Sequence, residues 1–248
     1  MSDFRNGFTN VAPASADMSV DAGLRGFMLG VYNKLALGLV VAGVLAYVTG
    51  NVPEVQRLLF GYGPDGRIGL TMLGMIVQFS PLVMLFGSMF FMKNPTAGGV
   101  NLLYWAVVST IGAGLGILFL RYTGGSLAST FLITAAAFGA LSLFGYTTKR
   151  DLSPMGTFLI MGVIGLIIAS IVNIFLQSGT FYLIISAIGV LLFSGLIAFD
   201  TQRLKMTYYQ LGGDQQAMGV ATGFGALNLF INFINLFQFL LAFTGGRR

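Results

Sequence analysis

Seven stretches of nearly unbroken apolar residues, separated by short polar connections, set the pattern of this chain. A hydrocarbon core of about 30 Å takes about 20 helical residues to cross, so the pattern predicts seven membrane-spanning helices. They run over Tyr32–Thr49, Ile68–Met92, Val100–Leu120, Leu127–Tyr146, Met155–Leu176, Phe181–Phe199 and Met218–Phe243. Strict polar–apolar alternation is absent, which argues against an outer-membrane barrel. The connections Gly61–Arg67, Lys93–Gly99, Arg121–Ser126, Thr147–Pro154 and Gln177–Thr180 carry turn residues and predict antiparallel helical hairpins. Asn51–Arg67 and Thr201–Ala217 are the longest predicted linkers. Residues 1–26 predict a polar, mobile tail without the charged-then-apolar pattern of a cleaved signal. Residues 27–248 predict a single membrane domain.

Composition agrees. The chain is 56% hydrophobic and 8% charged, against about 25% charged in soluble domains. The fold class is an all-α integral membrane protein. Glycine is abundant, at 35 residues, which suits helices that approach closely in lipid. There is no cysteine and no histidine. Disulfides and thiolate metal sites are excluded, and the commonest general base and transition-metal ligand is missing. The net charge of +5 does not point to nucleic acid, because the basic residues are scattered singly among the loops.

Seven spans place the termini on opposite sides. Eight basic residues share the N-terminal side: Arg5, Arg25, Lys34, Lys93, Lys149, Arg150, Arg203 and Lys205. Five share the other: Arg57, Arg67, Arg121, Arg247 and Arg248. Basic loops stay in the cytoplasm, so the N terminus is expected there.

Among the motifs, GYGPDG matches G-x-G-x-x-G, but it lies between membrane helices and reads as a turn. Gly112 and Gly116 form a GxxxG pair inside an apolar run and predict close helix packing. Asp200 is the one acidic residue set hard against a long apolar run, where a carboxylate costs roughly 2.5–3.5 kcal/mol on insertion scales. Two readings stay open for it. Either the helix runs on through Lys205, with Asp200 paired to Arg203 one turn later, or the acid has a task between helices. Lys93 closes the second span and reads either as an interfacial lysine reaching the headgroups or as a partner for Asp200.

The last span carries Asn228, Asn232 and Asn235 on one face. Buried asparagines need partners, so this stripe should look inward, as hydrogen-bond glue or as a hydrated path. Asn173, Gln177 and Gln78 are further inward candidates, with packing glue the simpler reading.

Three segments, TTKRDLSPMGTFLIMG, GLIAFDTQRLK and ALNLFINFINLF, together resemble the Bax inhibitor-1 family, and the likeness runs from the first span to the last. The resemblance implies a central seventh helix between two groups of three helices, and a pH-sensitive calcium leak. It also implies two aspartates that share a proton, one ending the sixth helix and one in the seventh. A basic residue ending the second helix latches onto the first of them.

Carried over, the first acid falls on Asp200 and the latch on Lys93. The second acid falls on Asn232, where this chain holds no charge. Two close carboxylates share a proton because both cannot ionise cheaply, whereas an asparagine can donate a hydrogen bond to an ionised neighbour. Asp200 is therefore expected to stay ionised, held by Lys93 and Asn232, with a blunted pH response and weak calcium binding at Asp200 alone.

The expected function is a cation leak gated near the ends of the second and sixth helices. Asp200, Lys93, Asn232, Asn228 and Asn235 would be its pore or gate. The alternative is a non-conducting regulator that binds another membrane protein, such as a protease or a cell-death modulator. An intramembrane hydrolase is disfavoured, since one aspartate cannot supply an aspartyl dyad. No enzyme activity and no cofactor is expected. The bilayer, calcium and a second membrane protein are the candidate partners, and the bacterial cytoplasmic (inner) membrane is the expected location.

Overall fold

The computed structural model describes residues 22–62 and 68–246. The predicted tail up to residue 21, the GYGPDG turn from residue 63 and the last two arginines lie outside them. The elements are α1 (Ala22–Asn51), α2 (Pro53–Leu59), β1 (Phe60–Tyr62), β2 (Ile68–Leu70), α3 (Met72–Phe91), α4 (Ala97–Gly114), α5 (Ile117–Arg121), α6 (Gly124–Thr147), α7 (Ser153–Leu176), α8 (Gly179–Leu211) and α9 (Gln215–Thr244). Among the described residues, seven helical units are long and apolar enough to cross a membrane, with α4 and α5 together making the third.

The helix starts are written locally. Thr71, Thr96, Thr123, Ser178 and Asp214 each accept a backbone N–H of the following turn, and so satisfy donors the helix itself cannot. Pro53 and Pro154 sit in first turns, where a missing N–H costs nothing. α8 stops at Gly212, whose φ of 57° a side chain would resist.

Four boundaries differ from the sequence pattern. α1 begins at Ala22, inside the predicted tail. Ile68–Leu70 is not the start of the second span but pairs antiparallel with Phe60–Tyr62 in a small hairpin. The third span breaks after Gly114 and resumes at Ile117. The fourth difference is the largest: the predicted linker Thr201–Ala217 is mostly helix. No glycine or proline interrupts residues 201–211. One face of that overrun is buried at Thr201 and Leu204, and Tyr208 meets Phe27 of α1 at 5.7 Å between ring centroids. The true connection is only Gly212–Asp214.

α9 is the core helix. It packs against α8, α1, α4 and α6. Of the two flanking groups, α1, α3 and α4 pack together on one side and α6, α7 and α8 on the other. α3 and α7 are outermost, and Phe90, Phe91, Ile168 and Phe175 are exposed there, which suits contact with lipid tails.

Glycines set the spacing. A Cβ on Gly112 would lie 2.6 Å from the Ala42 Cα of α1, and one on Gly145 would run into the Ala198 carbonyl of α8. The GxxxG contact is thus internal, with Gly112 against Ala42 and Gly116 against Thr49.

Candidate functional site

Asp200 lies eleven residues before the end of α8, about 16 Å along the axis at 1.5 Å per residue. This places the carboxylate inside the bundle rather than at a helix end. Asn232 faces it from α9, and its Nδ2 donates to Asp200 Oδ2 at 2.7 Å. Arg203, one turn on, sets a guanidinium nitrogen 3.2 Å from Oδ1. Each carboxylate oxygen therefore has its own partner. Asp200 is 8% exposed and Asn232 6%, whereas the Arg203 side chain is half-exposed and lies over the Phe199 ring. One end of the pair is sealed in the core and the other lies at the surface of the bundle.

The segment after Asp200 fastens α8 to its neighbours. Thr201 Oγ1 lies 3.4 Å from Ser142 Oγ of α6. Gln202 donates to the Arg150 carbonyl at 2.7 Å and accepts from the Leu152 N–H at 2.8 Å, so it clamps the α6–α7 loop. Lys205 Nζ reaches the Tyr146 carbonyl at 3.4 Å. The loop's Asp151 is held below the usual carboxylate range by hydrogen bonds from Ser153. Its contribution to capping α7 is therefore present at neutral pH and lost only as pH falls through that lowered value.

The other sequence candidates are dispersed. Lys93 is exposed beyond the end of α3, which packs on α4, and it forms no ion pair among the described residues. The basic group on Asp200 is Arg203, because the continuing helix delivers it at i+3. Asn235 donates back to the Ile231 carbonyl of its own helix at 2.8 Å. Asn228 is half-buried and makes no hydrogen bond among the described residues. Of the stripe, Asn232 alone reaches across to α8.

Gln78 is exposed but sets its Oε1 against Gly114, while the buried Asn173 Oδ1 finds no partner. Gln177 ends α7 in the left-handed region, with φ of 48°. Among the described residues no three His, Cys, Asp or Glu side chains converge as a metal site. A cation at Asp200 would meet a single carboxylate whose oxygens already face the Asn232 amide and the Arg203 guanidinium, a weak set for a hard ion.

Sequence reasoning missed a second polar cluster. Lys34 Nζ donates to Asn101 Oδ1 at 2.6 Å, and the Tyr104 hydroxyl donates to the Lys34 carbonyl at 2.7 Å, tying α1 to α4. Lys34 also lies over the Tyr104 ring. A lysine within a predicted apolar span was the available signal.

The family described as inhibitor of apoptosis-promoting Bax1 matches residues 24–248. The chain belongs to the Bax inhibitor-1 family. Among its Bax inhibitor-1 relatives, an uncharacterized protein of Caulobacter vibrioides is 62% identical over the full length of both chains. An uncharacterized protein of Rickettsia prowazekii is 43% identical over 94% of this chain and 95% of its own. The inner membrane protein YbhL of Escherichia coli is 39% identical over 92% of this chain and 94% of its own. This Bax inhibitor-1 protein is thus an integral membrane protein whose buried acid meets an amide from the core helix.

Proposed function

We propose that the protein is a calcium-permeable cation leak of the bacterial cytoplasmic membrane, held shut where α8 crosses α9. One observation carries the reading: a buried carboxylate, Asp200, joined to Asn232 of the core helix at 2.7 Å. Two neutral amides would glue these helices without the cost of a charge in the membrane. A negative charge at this depth fits a step that a cation occupies in passing.

Arg203 holds that place in the closed state, since it neutralises Asp200 and can swing into water from its half-exposed position. Asn232 carries no proton to share, so opening responds weakly to pH near neutrality. The basic residues described on the N-terminal side of the bundle support a cytoplasmic N terminus, which puts Arg203 on the cytoplasmic side. Lys93 has no part in the lock.

The variants Arg203→Ala and Lys93→Ala separate these roles in calcium flux into proteoliposomes. Arg203→Ala is expected to raise flux several-fold, and Lys93→Ala to leave it within about two-fold of wild type. The reverse order would return the latch to Lys93 and overturn the Arg203 assignment.

A further inference from the structure

Two cavities lie along one seam, between α1 and α6. Both helices rest on α9 without packing along each other. Towards the N-terminal side, a cavity of about 490 Å³ is lined by Arg25, Met28 and Tyr32 of α1 and by Phe138, Gly139 and Tyr146 of α6. Towards the other side, a separate cavity of about 240 Å³, lined by apolar residues, lies between Gly43 of α1 and Phe131 of α6, with Leu118 of α5 at its wall and Phe233 of α9 at its floor. Lining residues on α6 run from Gly124 to Tyr146, about 33 Å at 1.5 Å per residue, or one hydrocarbon thickness.

The glycines set this seam apart from the helix contacts. Gly112, Gly116 and Gly145 have a neighbouring helix where a Cβ would go. Gly43 and Gly139 have nothing within 4 Å of that position, so at these two the absent side chain leaves space instead of closing a contact.

Arg25 is the one charged residue among those lining the seam, and it stands at the same end as the two tyrosines. A cation and amphipathic rings at one end, followed by an apolar trough, match an anionic headgroup above an acyl chain. We propose that the α1–α6 seam is a binding site for one anionic phospholipid, with its phosphate at Arg25 and an acyl chain along Gly139 and Phe138. Ser142 also lines the larger cavity, and its hydroxyl is the one beside Thr201, next to Asp200. The lipid would therefore touch the element that positions the buried acid.

Native mass spectrometry of the purified full chain tests this with phosphatidylglycerol and phosphatidylcholine of equal acyl length. One phosphatidylglycerol retained per chain, preferred at least ten-fold over phosphatidylcholine, is the expected result. Equal retention of the two lipids overturns the headgroup assignment without needing any variant. Arg25→Gln should remove the preference, and Gly139→Phe should remove retention. Gly165→Phe, at an exposed position of α7 with equal room, should change neither. Retention by Gly139→Phe at the wild-type level would place the lipid elsewhere. Displacement by inorganic phosphate at the same concentration would show a free-anion site instead of a lipid site.

Discussion

Asn232→Asp is expected to give the protein a steep pH response near neutrality. The new carboxyl would stand where the amide now lies, 2.7 Å from Asp200 Oδ2. At that separation one proton is shared between two acids, and the helices are drawn together by a short bond. Raising the pH removes the shared proton, leaves two like charges in the core, and pushes α8 from α9. Calcium flux through the variant should therefore rise about ten-fold from pH 6 to pH 8, while wild type changes by less than about two-fold. The sign for stability follows from the same proton. The folded pair binds it more tightly than separated carboxyls do, so thermal stability of the variant falls as pH rises through neutrality. A wild-type flux profile as steep as the variant's would mean that Asn232 is not where the pH response was lost.

Gly145→Val is expected to give the largest loss of stability. A Cβ there meets the Ala198 carbonyl, which is backbone of α8 and cannot rotate away. Relief requires α6 and α8 to separate, and Ser142 with Thr201 lies one turn off. Overpacking of this kind costs about 1–3 kcal/mol, with the rigid partner placing this case at the upper end. At about 2–4 °C per kcal/mol for a chain of this size, Tm in detergent should fall by about 6–12 °C. Gly139→Ala, on the same helix but facing open space, should be neutral or gain up to about 1 kcal/mol from helix propensity. Equal Tm values for the two variants would refute the close-contact account of the α6–α8 interface.

Much of this architecture was legible because the bilayer imposes a length. Seven apolar runs became seven spans, and the core position expected of the last one is where α9 sits. The overrun of α8 stood in the sequence only as one of two readings, because DTQRLK reads as an exit from hydrocarbon, and polarity marks where a helix leaves lipid rather than where it stops. That difference decides the basic partner of Asp200. A helix ending at Asp200 would have left the acid free for a lysine on another helix, whereas a helix continuing to Leu211 brings Arg203 to it directly.

The asparagine stripe was visible as a face, but which of its members reaches across depends on where α8 crosses. The α1–α6 seam could not be read at all. Glycines that fill a contact and glycines that leave a gap are identical in sequence.

The central claim is that Asp200 serves a cation path sealed by Asn232, and calcium flux into proteoliposomes with wild type and Asp200→Asn tests it most directly. The amide is nearly the same size and can still accept from Asn232, so the crossing is kept while the charge is removed. Flux by wild type above that of protein-free vesicles, reduced at least ten-fold in the variant, is the predicted result. Equal flux in the two proteins, or no flux from wild type at any pH between 6 and 8, would contradict it, and the second of these would favour a regulator that acts by binding another membrane protein.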